Sequence, residues 1–277
     1  MKKLFTLIVV AVMMVLAFAG CAAKDAAPQN TPAEQTKDTA EQTNDTAEQT
    51  EGKVDYIIAT DTVFKPFEYT NEAGEFVGID VDLLAAIAAD QGFTYELRSL
   101  GWDAAIAACQ AGQADGLIAG ASIKQERIDS GWIFSDGYFT ATQCMTVAAD
   151  SDITSFDGLR GKMVAVKTGT AGADYAASLK DQYGFEINYF EDSPTMYQAV
   201  LGGQAVACFE DTPIMAASIK DGNLALKIVE GSENEGAPYG FAVFSADKQP
   251  LIDSFNAGLA NIKANGTYDE ILAKYLG

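Results

Sequence analysis

The hydrophobic positions of this chain fall into three regimes. Residues 4–18 form an apolar run without a charge, and residues 22–53 contain almost no large apolar side chain. From Tyr56 onward, short apolar runs alternate with segments whose apolar residues recur every three or four positions. That last rhythm predicts strands alternating with helices. Tyr56–Ala59 reads as a strand, and Phe67–Tyr69 and Phe76–Gly78 flank a turn at Asn71–Gly74. Asp80 is placed as the cap of a helix whose Leu83, Leu84, Ile87 and Ala88 share one face. Thr94–Arg98 is expected as a strand, Asp103–Ala111 as a helix stopped by Gly112, and Gly116–Ala119 as a buried strand. A second series follows: strand Met163–Val166, helix Gly172–Lys180, strand Glu186–Tyr189, a helix opened by Ser193-Pro194 and closed by Gly202-Gly203, and strand Ala205–Phe209. Amphipathic helices at Pro250–Ala264 and Thr267–Tyr275 end the chain. Strands separated by helices imply mostly parallel sheets.

One pattern occurs twice. Ala111-Gly-Gln-Ala-Asp-Gly-Leu-Ile-Ala-Gly120 lines up with Gly202-Gly-Gln-Ala-Val-Ala-Cys-Phe-Glu-Asp211, each a helix stop, a short turn, a buried strand and a polar end. Either any helix-to-strand connection looks like this, or the chain holds two similar α/β lobes. In the second case the strand ends at Ala119-Gly120 and Glu210-Asp211 correspond, and ligands of open parallel sheets lie beyond such carboxyl ends.

The first regime carries Lys2 and Lys3 ahead of the apolar run and ends in Ala19-Gly20-Cys21, the layout of a secretory signal (1–20) ending in a lipidation cysteine. The run is shorter than the ~20 residues a bilayer-spanning helix needs. An acylated Cys21 would hold the protein at a membrane face with the remainder in water. Residues 21–53 then read as a disordered acidic tether, with Ala-Glu-Gln-Thr at 33–36, 40–43 and 47–50 and no apolar seam for a coiled coil. A flexible coil of that length spans roughly 30 Å.

Composition narrows the chemistry. The formal net charge is −21, and loss of Lys2 and Lys3 would take it to −23, which argues against nucleic acid as a partner. Cys109, Cys144 and Cys208 are odd in number, lie in apolar elements and are expected as buried free thiols. Histidine is absent, so Ser-His and Cys-His nucleophile pairs and the usual zinc ligands are missing. Binding is favoured over catalysis, with no cofactor and no metal. The Lys167–Gly172 run is not a phosphate loop, because its lysine precedes the glycines instead of following them.

Five segments together carry a resemblance: Ala59-Thr-Asp-Thr-Val-Phe-Lys-Pro-Phe67, Val77-Gly-Ile-Asp-Val-Asp-Leu83, Phe134-Ser-Asp-Gly-Tyr138, Val164-Ala-Val-Lys-Thr-Gly-Thr170 and Asn265-Gly-Thr-Tyr268. In order and spacing, from about Val54 to Gly277, the chain resembles the polar-amino-acid solute-binding proteins of ABC importers, with the glutamine-binding members most similar. The resemblance implies a type II periplasmic-binding-protein fold, α/β, in which two lobes joined by two crossing strands close over one amino acid. It implies lobe 1 at 54–136 plus 241–277, lobe 2 at 141–236, and a hinge at 137–140 and 237–240. It also implies a monomer that passes its ligand to a membrane permease.

A free amino acid presents a carboxylate and an ammonium on one carbon, so its site needs a fixed cation beside a fixed anion. On the family's pattern Arg127, in the turn after the Gly116–Ala119 strand, grips the carboxylate, aided by backbone amides at Ser122 and Ala171, with Thr170 just ahead of that helix start. Asp211 takes the ammonium with the Gly120 carbonyl and the Ser122 hydroxyl. Read without the family, Arg127 pairs with Glu126 or Asp129, and Asp211 caps the helix near Pro213. Phe64 and Trp102 flank the ligand's stem, or simply pack in the core; Trp102 replaces an expected phenylalanine. Closure is expected to bring Lys167, Ala171 and Asp211 toward Asp61, Trp102 and Arg127.

Asp61 and Lys167 either read a side-chain carboxamide together or form a plain salt bridge. Glu210 stands where glutamine binders have histidine. Turned inward, it would leave one excess negative charge and favour arginine or lysine, whereas Lys167 opposes a cationic side chain. Glutamine ranks first, a basic amino acid second and glutamate last. An enzyme on this fold, a cyclohexadienyl-dehydratase-like lyase, would need Glu210 as its acid or base. A sensory receptor in place of a permease would use the same site.

Overall fold

The computed structural model describes residues 54–276. The expected leader, the lipidation residue Cys21 and the 21–53 tether lie outside them. The chain first lays down β1 (Tyr56–Thr60), the hairpin strands β2 (Tyr69–Thr70) and β3 (Phe76–Val77), α1 (Ile79–Gln91), β4 (Tyr95–Ser99), α2 (Trp102–Gln110), β5 (Gly116–Leu117), α3 (Gln125–Asp129) and β6 (Ile133–Phe134). From β7 (Phe139–Ala141) it enters a second series: β8 (Gln143–Ala148), β9 (Met163–Lys167), α4 (Ala171–Tyr183), β10 (Glu186–Phe190), α5 (Ser193–Leu201), β11 (Ala207–Asp211), α6 (Thr212–Asp221) and β12 (Leu226–Ile228). It returns through β13 (Ala237–Tyr239) and β14 (Ala242–Val243) and finishes on α7 (Gln249–Ala264) and α8 (Thr267–Leu276).

Two five-stranded sheets result, ordered β4-β1-β5-β14-β6 and β10-β9-β11-β8-β12. Each has a parallel trio (β4, β1, β5 and β10, β9, β11) extended by antiparallel pairings. The parallel trios match the expectation from alternating strands and helices. The antiparallel strands escaped the sequence pattern for physical reasons. Five of the six residues of β8 are buried, so no alternation betrays it, while β6 and β14 have two residues each. Between the sheets, β7 and β13 pair antiparallel as a separate ribbon, Phe139 opposite Tyr239 and Ala141 opposite Ala237.

Local chemistry fixes the helix ends. α1 buries Leu83, Leu84, Ile87 and Ala88, the face expected from their spacing, each large side chain contributing roughly 1.5–3 kcal/mol of burial. It stops at Gly92 in the left-handed conformation. At its other end the expectation fails: Asp80 is not the cap. Gly78 holds that position, and a Cβ there would stand 2.0 Å from the Phe67 carbonyl oxygen, so only glycine fits. Asp80 lies one turn-position inside and is wholly buried, its Oδ2 accepting from the Gly120 N–H at 2.8 Å and the Tyr138 hydroxyl at 2.9 Å.

The internal repeat holds down to its hydrogen bonds. The N–H groups of Gln113 and Ala114 both donate to the Ala108 carbonyl, and those of Gln204 and Ala205 both donate to the Ala199 carbonyl. The next residues, Asp115 and Val206, donate to Ile57 of β1 and Met163 of β9. The two buried strands thus start at equivalent places in their sheets. Cys109, Cys144 and Cys208 are buried and unpaired with one another, as expected. No helix among the described residues is long and apolar enough to cross a membrane.

Candidate functional site

A cavity gathers side chains from the carboxyl ends of the parallel strands in both sheets. Asp61 and Phe64 follow β1, Trp102 opens α2, Gly120 and Ser122 follow β5, and Arg127 projects from α3. From the other sheet come Lys167 at the end of β9, Thr170 and Ala171 at the start of α4, and Glu210 and Asp211 as the last residues of β11. All eleven residues singled out from the sequence line this one cavity, and Ala119 adds to it.

Arg127 sits on a short helix, not on the turn expected for it. Its guanidinium turns away from Glu126 and Asp129. It donates to the Ser122 carbonyl at 2.9 Å and to the Gly169 carbonyl at 3.1 Å, and lies 5.1 Å from the ring centres of Trp102 and of Trp132. Burial pulls its pKa below the ordinary value, against the opposing pull of Asp174 and Asp211. A cation held this way retains donor capacity toward the cavity, since a guanidinium carries five N–H groups.

Asp211 occupies the position before α6, yet its side chain accepts nothing from that helix. Its oxygens accept instead from Gln143 Nε2 at 2.6 Å and from the Tyr239 hydroxyl. Burial raises its pKa, while the Tyr239 and Gln143 donors and the Arg127 charge lower it. Among the described residues no direct ion pair joins Arg127 to Asp211. The two charges share the cavity wall.

Asp61 and Lys167 form an ion pair across the cavity, with side chains only 5 % and 2 % exposed. Lys167 Nζ also lies 5.5 Å from the Phe64 ring centre. Glu210 faces the cavity, but its carboxylate is held by its own lobe. Oε2 accepts from the Ser193 hydroxyl at 2.7 Å and the Tyr197 hydroxyl at 3.1 Å, and Oε1 from the Asp211 N–H at 2.9 Å. Burial first, and Asp211 second, push its pKa up to about 7.

Thr170 caps α4: its hydroxyl accepts from the Ala173 N–H at 3.3 Å and donates to the Lys167 carbonyl at 2.8 Å. The Ala171 N–H has no intrahelical partner by position and opens at the positive end of a 13-residue helix. Gly120 adopts φ +54, and a Cβ there would reach within 2.5 Å of the Phe64 ring. The two sheets' walls touch around the cavity. Trp102 Nε1 donates to the Gly169 carbonyl at 3.2 Å, and Lys124–Asp174 and Lys65–Asp221 are ion pairs at 2.9 Å.

The chain matches the profile of the bacterial extracellular solute-binding proteins, family 3, over residues 56–277. It belongs to that family. A probable histidine-binding protein of Neisseria gonorrhoeae is 31% identical over 81% of this chain and 83% of its own length. The ABC transporter glutamine-binding protein GlnH of Bacillus subtilis is 29% identical over 100% of this chain and 98% of its own. A solved ancestral arginine-binding protein bound to arginine is 33% identical, covers 80% of this chain and 98% of itself, and superposes with a TM-score of 0.74. The two mixed sheets are therefore the lobes of a type II periplasmic-binding fold, and the family is one of extracellular solute-binding proteins.

Several groups that shape this family-3 site were not singled out from the sequence. Gln143 and Tyr239, which hold Asp211, lie on strands the pattern did not show. Ser193 was visible only as a helix start, and Tyr197 carried no signal of its own. Gly169 lies inside the Lys167–Thr170 motif, where its φ of +69 aims a carbonyl that Arg127 and Trp102 share.

Proposed function

We propose that this chain is a lipid-anchored receptor, tethered through Cys21, that captures glutamine outside the cytoplasm and presents it to an ABC permease. Lobe 1 comprises 54–136 with 241–277, lobe 2 comprises 141–236, and residues 137–140 and 237–240 form the hinge, where β7 and β13 pair. The ligand carboxylate lies between Arg127, the Ser122 amide and the Ala171 amide. Its ammonium lies among Asp211, the Gly120 carbonyl and the Ser122 hydroxyl. Phe64 and Trp102 bound the aliphatic stem.

The observation that carries the glutamine reading is the buried Asp61–Lys167 pair on the wall of the same cavity. It is neutral as a unit and offers an acceptor beside a donor. A carboxamide can lie along it, giving N–H to Asp61 and accepting from Lys167, without breaking it. An arginine or lysine side chain would bring a second cation to Lys167 at a cost of about several kcal/mol in a dry cleft. Glu210 in the cavity is what favours the second reading, a basic amino acid. A lyase reading is weaker, because three donors of its own lobe already engage the Glu210 carboxylate.

A thermal-shift and calorimetric screen of the refolded, ligand-stripped protein against the common amino acids tests this, since a ligand raises apparent stability by mass action. Glutamine should give the largest shift. A ranking led by arginine would replace the glutamine assignment, and no shift with any amino acid would remove the receptor reading. Formation of an aromatic product from prephenate or arogenate would make the protein an enzyme.

A further inference from the structure

Behind Gly120, two carboxyl side chains are packed together with no cation between them. Glu68 and Asp80 are both 0 % exposed. Asp80 Oδ2 is fully used by Gly120 N–H and Tyr138 hydroxyl, whereas Asp80 Oδ1 and both oxygens of Glu68 have no hydrogen-bonding partner when both groups are treated as carboxylates. Three orphaned acceptors in a dry pocket would be costly, about 1–3 kcal/mol each. One proton on Glu68 resolves two of the three, its own oxygen as donor and Asp80 Oδ1 as acceptor, because a neutral carboxylic acid donates where a carboxylate cannot.

We propose that Glu68 is kept as a neutral acid that donates to Asp80, and that this acid–carboxylate pair positions Gly120 so that its carbonyl meets the ligand ammonium. The proposal rests on the amino-acid site described above. The backbone supports the geometry. The Phe64 and Glu68 main chains bond reciprocally, N–H of Phe64 to the Glu68 carbonyl at 2.7 Å and N–H of Glu68 to the Phe64 carbonyl at 3.3 Å, and Asp80 N–H donates to the Phe67 carbonyl at 2.9 Å. Glu68, Asp80, Gly120 and the ligand-flanking Phe64 are thus one block. Gly120, at φ +54 against the Phe64 ring, has no side chain of its own to fix it, so its N–H bond to Asp80 anchors the Ala119–Gly120 peptide from which the Gly120 carbonyl departs.

The groups facing Glu68 are Asp80 from α1, Asp61 beyond β1, Lys167 from β9 and the Tyr138 phenol. Lys167 is already engaged by Asp61. Burial, then Asp80 and Asp61, hold the Glu68 pKa well above the ordinary carboxylate range, and burial carries Asp80 up to about 7. Loss of the shared proton at alkaline pH would place two anions side by side and loosen Gly120.

Glu68→Gln separates this from simple packing, because the amide is neutral, nearly isosteric and still donates to Asp80. Infrared difference spectra of the full chain without ligand should show a protonated-carboxyl band at pH 7 that Glu68→Gln removes. Glutamine affinity of Glu68→Gln should stay within about threefold of wild type at pH 6.5, while between pH 6.5 and 9 wild type should lose about fivefold or more beyond the loss in the variant, since one pKa unit corresponds to about tenfold. Absence of the band at pH 7 overturns the pair, as does a folded Glu68→Gln that binds tenfold weaker at pH 6.5 or shares the wild-type pH profile. If wild type binds no amino acid, the receptor reading fails while the infrared band still decides the proton. Should Glu68→Gln not fold, titration of the band in Glu210→Gln decides it, because Glu210 also holds a proton near neutrality: persistence above pH 7 upholds the pair, and disappearance by pH 5.5, with the ordinary carboxyls, ends it.

Discussion

Trp102→Phe isolates one bond between the lobes. The indole N–H of Trp102 reaches from lobe 1 to the Gly169 carbonyl in lobe 2, and its ring also faces the Arg127 guanidinium. Phenylalanine keeps a ring beside Arg127 but has no donor. The Gly169 carbonyl is not left alone, because Arg127 still donates to it at 3.1 Å. The loss is therefore that of one neutral hydrogen bond with no orphaned partner, about 0.5–1.5 kcal/mol. That bond exists only when the lobes meet, so its removal weakens the closed form relative to the open one. The expected result is glutamine affinity lower by roughly two- to twelve-fold.

Calorimetry gives the affinity, and stopped-flow tryptophan fluorescence at the remaining Trp132 separates the rates. The change should fall on dissociation, because the bond forms after the ligand has entered. Unchanged affinity would show that the 3.2 Å contact contributes nothing to closure. A slower association with normal dissociation would place Trp102 in ligand entry, contrary to its bond to the Gly169 carbonyl.

Arg127→Ala and Asp211→Ala should each nearly abolish binding, by stranding one ligand charge in a buried site, and near-normal calorimetric affinity in either variant would refute the clamp. Lys167→Met should leave the clamp intact but strand Asp61 and shift the preference toward basic amino acids; an unaltered ranking in a binding screen would remove Lys167 from side-chain selection. Stability should fall as pH rises from about 4.5 to about 7: Glu68, Asp80 and Glu210 all have pKa values raised by burial, so the native state holds protons the unfolded chain has released. Melting temperatures measured at pH 5.5 and 8 check this, and equal or higher stability at pH 8 would contradict it.

How much was readable from the sequence depended on how local the signal was. Helices α1, α2, α4, α5, α7 and α8 and strands β1, β4, β9 and β10 follow from apolar spacing, glycine stops and prolines within a few residues. Strands β8 and β14 owe their existence to pairing partners far away in the chain, and nothing local announced them; β13 was expected only as the hinge crossing that the resemblance implied. The same division runs through the site. Arg127, Lys167, Glu210 and Asp211 were singled out because a resemblance placed them, and all four line one cavity. Their supports, Gln143, Ser193, Tyr197 and Tyr239, are ordinary residues made special only by the fold. Asp80 was misread for the same reason. An acid near a helix start is most often a cap, and only the burial of Glu68 and Gly120 against it reveals another role.

Glu210 gives the site a charge that pH can change. With Glu210 neutral, Arg127 and Lys167 balance Asp61 and Asp211, and a zwitterion with an uncharged side chain leaves the cavity neutral. With Glu210 ionised, one negative charge is in excess, and a cationic side chain gains what glutamine cannot offer. Burial and the neighbouring Asp211 push the Glu210 pKa up to about 7, so both forms are populated near neutrality. The Ser193 and Tyr197 hydroxyls can serve either form, donating to the carboxylate or accepting from the acid. The ratio of glutamine to arginine affinity should therefore fall as pH rises from about 6 to about 8, by at most about tenfold per unit because one proton is involved. Glu210→Gln should abolish that slope and hold the preference for glutamine across the range. Competition calorimetry at the two pH values measures both. A ratio that does not move in wild type, or moves equally in Glu210→Gln, would mean that the charge deciding ligand choice resides elsewhere in the cavity.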